Sequence, residues 1–314
     1  MSKVEFGKLA ERFGSRLLLD EPLSKHTTYR IGGPAAAMLR PQSTEEVADA
    51  LSICNGGGIP WLVLGLGSNV LVLDQGFDGL VFRMGKGFDR VLEQRPDDAV
   101  WRVEAGLPTP LLARRTADAG LSGVHRMVGI PGTVGGGVAT NSGAHQQEYS
   151  RVVSGLVGVA PDATVVNVSG NAVSWEYRKG VEGLIVTEVT LQLHEGDDSL
   201  LKEELRIASA SRKEGTPYDL PSCGSVFKNP GPPQPIPDSG SEGDGIPTAG
   251  QLIDAAGCKG LSVGNAEVSK THANYIVNLG GATAAEVLAL IDSVRGRVLG
   301  EFGVELELEV RIVN

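Results

Sequence analysis

Apolar positions recur along this chain with two periods, and the places where one gives way to the other mark its elements. Ser43-Thr44-Glu45-Glu46 has the form of a helix-opening box, and Val47, Ala50, Leu51 and Cys54 follow at helical spacing, which predicts a helix beginning there. Two short apolar runs, 61–64 and 69–73, flank Gly65-Leu66-Gly67 and read as strands joined by a glycine turn. Thr109-Pro110 opens a second helix, since the first turn has N–H groups without helical acceptors and tolerates a residue that lacks one. From 100 to 193 the pattern is mostly that of strands, 152–159 and 184–193 among them, with glycine-rich connections. Thr283-Ala284-Ala285-Glu286 opens another helix, whose stripe is Val287, Leu290, Ile291, Val294 and Val298. The last segment alternates as a strand: Val304, Leu306, Leu308, Val310 and Ile312 face one way, Glu305, Glu307, Glu309 and Arg311 the other.

This order is α+β rather than a regular βαβ series. Periodicity is lost at Glu195-Gly196-Asp197-Asp198-Ser199, which predicts a domain boundary near 196, and 231–248, rich in Pro, Gly, Ser and Asp, predicts a surface loop. The 314 residues, 41% of them hydrophobic, suffice for two domains with cores of their own. Neither an apolar run of membrane-spanning length nor an apolar leader after Met1-Ser2-Lys3 is present, so the expectation is a cytoplasmic protein without membrane contact. A net charge of -10 argues against nucleic acid or an anionic surface as partner, while a small anionic substrate needs only local cations such as Arg178, Lys228 and Lys259. Three well-separated cysteines, Cys54, Cys223 and Cys258, fit a reducing compartment better than a disulfide framework.

The stretch Ser222-Cys223-Gly224-Ser225-Val226-Phe227-Lys228-Asn229-Pro230 puts a hydroxyl, an ammonium and an amide between glycine and proline, which suits either a reactive site or a turn entering a strand. Cys223 reads as a small packing residue rather than a nucleophile. Leu64-Gly65-Leu66-Gly67-Ser68-Asn69 offers backbone N–H groups and two side chains to phosphate oxygens, or is a plain turn; it matches neither the Rossmann nor the Walker pattern. Gly129-Ile130-Pro131-Gly132-Thr133-Val134-Gly135-Gly136-Gly137 has five glycines in nine residues, an entropic cost that close approach to a ligand would justify. Arg178 in Trp175-Glu176-Tyr177-Arg178 and Glu309 on the polar face of the last strand read, by themselves, as solvated surface residues. The five histidines, His125, His145 and His272 among them, lack metal-ligand spacing, and no metal is expected. Spacing does not exclude a Ser-His-Asp triad, but the Gly-x-Ser-x-Gly elbow is missing at Ser225.

Taken in order over nearly the whole length, these segments and the terminal Leu306-Glu307-Leu308-Glu309-Val310-Arg311-Ile312 resemble the UDP-N-acetylenolpyruvoylglucosamine reductases, flavoenzymes of bacterial cell-wall precursor synthesis. The resemblance implies an α+β protein with a FAD-binding fold of the vanillyl-alcohol-oxidase type over 1–196, in two subdomains at about 1–85 and 86–196. A substrate-binding domain over 197–314 would return Glu309 to the active site. It implies non-covalent FAD held by Gly65, Gly67, Ser68, Asn69, Gly129, Ile130, Pro131, Gly132, Thr133, Gly135, Gly136 and Asn141. It also implies NADPH as hydride donor, a UDP-sugar contacted by Tyr177, Lys228, Asn229 and Lys259, a monomeric state, and the family's shorter subtype, without an extra tyrosine-bearing loop.

By the same likeness the enolpyruvyl UDP-sugar is reduced to UDP-N-acetylmuramate. Hydride passes from NADPH to flavin N5 and then to C3 of the enolpyruvyl group, and Ser225 gives a proton to C2. Arg178 and a protonated Glu309 would stabilise the charge that develops next to the carboxylate. The rivals are another FAD oxidase on the same fold and a nucleotide-binding protein without catalysis. Two departures stand out: Gly180 where the family usually has serine, and Gly143-Ala144-His145-Gln146 where it has Gly-Ala-Tyr-Gly.

No cysteine lies between Cys54 and Cys223, and the resembled family uses no histidine tether. Acid precipitation of the purified protein is therefore expected to leave its yellow colour in the supernatant; colour retained in the pellet would mean a covalent flavin.

Overall fold

The computed structural model describes residues 6–231 and 247–314, so 232–246 of the predicted loop lie outside the described residues. The chain forms two compact units. The first takes the chain through Leu19, Ala36–Leu66 and Asp78–Arg212; the second takes Asp20–Ala35, Gly67–Phe77 and Lys213–Asn314.

Helix α1 (Gly7–Phe13) and helix α2 (Thr44–Gly57) of the first unit accompany a sheet ordered Leu17–Pro22, Pro34–Leu39, Phe77–Arg83, Trp61–Leu64, of which 17–19, 36–39, 78–83 and 61–64 belong to that unit. Ser43 Oγ accepts the Glu46 N–H at 3.3 Å, as the opening box predicts. The reciprocal bond is not made, because the Glu46 carboxylate takes the Arg16 guanidinium at 2.6 Å and the Gln42 N–H at 2.8 Å. Val47, Ala50, Leu51 and Cys54 are fully buried with Ala37, Leu39, Leu80 and Phe82. Trp61–Leu64 runs parallel to Phe77–Arg83 with Leu64 opposite Arg83, so the glycine turn after Leu64 starts level with that arginine.

The same unit holds an antiparallel sheet ordered Val165–Ser169, Val153–Val159, Ile185–Gln192, Val100–Glu104, Val91–Arg95. Helix α3 (Thr109–Asp118), with proline in its first turn, and helix α4 (Val134–Ala139) share its core of Trp101, Val103, Leu112, Val138, Leu156 and Leu191. Helix α5 (Asp198–Gly215) starts at the polar stretch where the sequence suggested a boundary. Yet the first unit continues along it to Arg212, because Ala208 packs with Ala113 and Val128.

The second unit is built on helix α6 (Ala249–Ala255), helix α7 (Ala284–Phe302) and a small antiparallel sheet of Ser262–Val263, Ala266–Val268 and Ile276–Asn278. Both helices open with complete capping boxes, Thr248 with Gln251 and Thr283 with Glu286; the second was legible in the sequence. The Asp74 carboxylate accepts the Ala284 and Ala285 N–H groups at 2.8 and 3.1 Å, adding negative charge where the helix dipole favours it.

The long terminal strand expected over 304–312 is not continuous: only Arg311–Val313 pairs as a strand, parallel to Val70–Val72. The residues before it bond instead to the segment around Val226. Glu309 and Val310 both donate to the Val226 carbonyl, at 2.8 and 3.3 Å, so two residues oppose one and the ladder is interrupted. The alternation of burial survives in part, with Leu306 and Val310 buried and Glu305, Glu307 and Arg311 exposed.

Helix α7 gives a direct test of the buried stripe. Leu290 is fully buried and Leu299 is 51% exposed. Leu290→Ala should cost about 2–5 kcal/mol in urea unfolding, and Leu299→Ala less than about 0.5 kcal/mol; equal losses would contradict the stripe.

Candidate active site

In the first unit the structure brings the two glycine segments together. A Cβ on Gly65 would lie 2.5 Å from Thr133 Oγ1, so the turn after Leu64 fits against the 129–137 segment only as glycine. Thr133 caps α4, its Oγ1 accepting the Gly136 N–H at 3.3 Å, and pairs with Pro108 through an isolated bridge. The Val134 and Gly135 N–H groups bond to Leu107 and Ala105 carbonyls at 2.8 and 2.7 Å. Neither Gly135 nor Gly136 therefore offers a free donor: Gly135 packs against Ala105, where a Cβ would lie 2.8 Å from the Ala105 Cβ, and only Gly136 is exposed. Among the described residues, the N–H groups of Leu66, Gly132 and Thr133 have no backbone acceptor. Unspent donors beside side-chain-free backbone are what an anionic, flat ligand such as a flavin dinucleotide requires.

Asn141, assigned to the cofactor from sequence, is buried with φ 43°. Its Oδ1 accepts the Ser150 N–H at 3.0 Å and its Nδ2 donates to the Glu176 carbonyl at 3.2 Å. It thereby anchors the hairpin that carries Arg178. Glu176 and Lys179 exchange N–H···O bonds of 2.9 and 3.1 Å, leaving Tyr177 and Arg178 at the tip. Arg178 has φ 59°, a left-handed conformation that favours glycine, and its guanidinium lies 4.8 Å from the Tyr177 ring centroid.

A latch that the sequence did not reveal fixes the entry to the 129–137 segment. Glu204 of α5 receives Arg126 through two bonds of 2.6 and 3.0 Å and faces His125 Nε2 at 2.7 Å. A Cβ on Gly129 would lie 2.7 Å from the side chain of Arg212, about two turns further along the same helix. Glu204 lies about 80 residues from its partners, and no local pattern signals such a pair.

In the second unit, Gly224 (φ 81°) turns the chain into Ser225, which is half-buried between buried Cys223 and Val226. Asn274 grips the next residue at both ends, accepting the Phe227 N–H at 2.9 Å and donating to the Phe227 carbonyl at 2.8 Å. The Glu309 N–H bonds to the Val226 carbonyl, the Lys228 N–H to the Glu307 carbonyl at 2.8 Å, and the Phe227–Leu308 bridge lies between. This pairing sets Glu309 beside the residue that follows Ser225. Burial pushes the Cys223 thiol up to about 12, with the charge of Glu309 adding to it, so Cys223 is the packing residue the sequence suggested.

Asn69 joins the cluster: its Nδ2 donates to the Glu309 carbonyl at 3.1 Å and its carbonyl accepts the Arg311 N–H at 3.0 Å. Gly67 (φ 71°) abuts the His26 carbonyl, and Thr28 bonds to the Gly67 and Ser222 carbonyls, tying the turn to the serine segment. Of the proposed substrate contacts, Lys228 pairs with Glu307 at 3.3 Å, Asn229 Oδ1 accepts the Ala249 N–H at 3.0 Å, and Lys259 is engaged by Asp254 at 2.6 Å.

A family model described as "UDP-N-acetylenolpyruvoylglucosamine reductase, C-terminal domain" matches residues 216–313, and one described as "FAD binding domain" matches 35–169. Curated relatives named UDP-N-acetylenolpyruvoylglucosamine reductase include that of Heliobacterium modesticaldum, 38% identical over 98% of this chain and 94% of its own. That of Rubrobacter xylanophilus is 42% identical over 94% of each chain. The crystal structure of UDP-N-acetylenolpyruvylglucosamine reductase from Thermus caldophilus is 34% identical, with a TM-score of 0.75 over 95% of this chain and 98% of that one. The chain belongs to the UDP-N-acetylenolpyruvoylglucosamine reductase family. The α+β FAD-binding fold expected from the resemblance is the one it has.

Both departures from the family pattern have a local physical setting. A Cβ at Gly180 would overlap the Val138 carbonyl and crowd Trp175, so this chain packs residue 180 where serine does not fit. His145 (φ 49°) and Gln146 (φ 65°) form the tip of the Gly143–Ala144/Gln147–Glu148 hairpin, a turn that needs positive φ at both central positions.

The latch carries a pH signature. Hydrogen bonds from Arg126, with His125 adding, lower the Glu204 carboxyl from 4.5 to about 2. Its folded value lies below its unfolded one, so its contribution is complete above pH 4.5 and fades as pH falls toward 2. Glu204→Gln should lower the thermal midpoint at pH 7, and its gap from the parent protein should narrow below pH 4.5. A gap independent of pH would place the effect in packing instead of charge.

Proposed function

We propose that this protein reduces the enolpyruvyl ether of UDP-N-acetylglucosamine to UDP-N-acetylmuramate with NADPH and bound FAD, supplying a bacterial wall precursor. Family membership supports the reaction. The observation that carries the residue roles is the Glu309–Val226 backbone bond, which couples the serine segment to the terminal glutamate as a proton donor and a charge-stabilising partner would require.

When bound, FAD supplies the two-electron relay from NADPH to C3 of the enolpyruvyl group. Gly65, Gly67, Ser68, Asn69, Gly129, Ile130, Pro131, Gly132, Thr133, Gly135 and Gly136 would line it, with Leu66, Gly132 and Thr133 offering the unspent N–H groups. Asn141, expected at the cofactor, would act there while holding the Tyr177–Arg178 turn through the Glu176 carbonyl. Hydride arriving at C3 leaves an electron pair at C2 conjugated with the carboxylate. Arg178 would neutralise that charge, and Glu309 in its protonated form would donate to it. The Ser225 hydroxyl gives its proton to C2, completing the saturated lactyl ether; the enolate is a strong enough base to take it. Tyr177, Lys228, Asn229 and Lys259 would hold the UDP-sugar, the two lysines exchanging their present carboxylate partners for substrate anions.

The same reading makes the protein a cytoplasmic monomer acting on soluble substrates. No helix among the described residues is long and apolar enough to cross a membrane.

Ser225→Ala separates the two half-reactions. Gly224 and the Asn274 grip still fix the turn, so FAD content and flavin bleaching by NADPH should be unchanged. Anaerobic reoxidation by the enolpyruvyl UDP-sugar should slow by about two to four orders of magnitude. UDP-N-acetylglucosamine should not reoxidise either protein. Near-normal reoxidation in the alanine variant would move the proton to another donor, and a parent protein that the enolpyruvyl sugar does not reoxidise would refute the function.

A further inference from the structure

Arg83 closes the strand beside Trp61–Leu64, and its Nη1 donates to the Gly65 carbonyl and, at 3.1 Å, to the Met84 carbonyl. A trans peptide is planar with its C=O and N–H opposed. Fixing the Gly65 carbonyl on Arg83 therefore points the Leu66 N–H the other way, and that N–H has no backbone acceptor among the described residues. The turn is closely packed on the other side as well, since a Cβ on Gly65 would lie 2.5 Å from Thr133 Oγ1.

The charge at this spot is equally unspent. Arg83 Nε is buried without a hydrogen-bond partner, and no carboxylate among the described residues forms an ion pair with this guanidinium. Burial lowers the Arg83 pKa, and the like charge of Arg40, which follows the neighbouring strand Pro34–Leu39, lowers it further. In a chain of net charge -10, a buried guanidinium that feels a second cation and has no carboxylate paired with it makes a local positive potential that an anion would relieve.

We propose that Arg83 is the positioning residue that makes this turn read phosphate: by clamping the Gly65 carbonyl it aims the Leu66 N–H at the pyrophosphate of the flavin dinucleotide, an inference that rests on the FAD reading above. The role separates phosphate-bearing from phosphate-free flavin. Loss of the clamp lets the Gly65–Leu66 peptide rotate and removes the local charge, and both changes weaken FAD while leaving the isoalloxazine contacts in place.

Flavin-stripped parent protein, Arg83→Met and Arg83→Lys are titrated with FAD and with riboflavin, followed by flavin fluorescence. The thermal midpoint of each stripped protein is measured alongside. Arg83→Met should weaken FAD about 10- to 100-fold, the scale of one charge-assisted hydrogen bond, and riboflavin less than about twofold with the midpoint unchanged. Arg83→Lys, which keeps the charge and one donor, should fall between. Equal weakening of both flavins, or a lowered midpoint without FAD-specific loss, would make Arg83 a structural tie and overturn the proposal. Unchanged FAD affinity in Arg83→Met would overturn it while leaving the FAD reading intact; a parent protein that binds no FAD would overturn both.

Discussion

Two consecutive N–H groups, those of Glu309 and Val310, converge on the single carbonyl of Val226, and the candidate chemistry depends on that convergence. It breaks the terminal strand, moves Glu309 off a regular polar face and ties it to the segment that presents Ser225. Asn274 makes the arrangement rigid by taking both backbone groups of Phe227, so the serine segment has no slack in which to change register. From there the chain crosses to Val70–Val72, and Asn69 bonds to the Glu309 and Arg311 backbone at the crossing. A glutamate that looks like solvent-facing decoration is thus held by the backbone on both sides.

A second constraint is close backbone approach. Gly65 against Thr133, Gly67 against His26 and Gly180 against Val138 are contacts that no side chain permits, and each lies in a segment that a flavin or substrate reading also singles out. In the first unit the turn backbone is so placed that some N–H groups are consumed by the protein and others have no backbone acceptor among the described residues. The distinction matters for assigning roles, because Gly135 and Gly136 look identical to Gly132 as letters yet differ in what they can donate. Distant residues hold these loops: Glu204 from α5 grips Arg126 and His125, and Arg83 grips Gly65.

Burial rather than charge governs the cysteines. Cys54 is pushed to about 12 by desolvation alone, and Cys223 to about 12 by desolvation with Glu309 contributing, so neither offers a thiolate near neutrality. The cations follow a different rule. Lys228 and Lys259 sit in ion pairs at the surface, whereas Arg83 is partly desolvated and paired only with carbonyls.

The sequence by itself determined the elements whose stability is local. The helix opened by Thr283 and Glu286, with its stripe through Val298, was legible because capping and 3.6-residue periodicity are properties of a single segment. The strands at Trp61–Leu64 and Ile185–Gln192, the packing role of Cys223 and the order of the glycine segments were legible for the same reason. Only the tertiary structure decided the boundary inside α5, the break in the last strand, the structural duty of Asn141 and the grips made by Asn274, Glu204 and Arg83. Each of these rests on hydrogen bonds or packing between residues far apart in the chain, and a linear pattern carries no record of which distant carbonyl or carboxylate a group will meet.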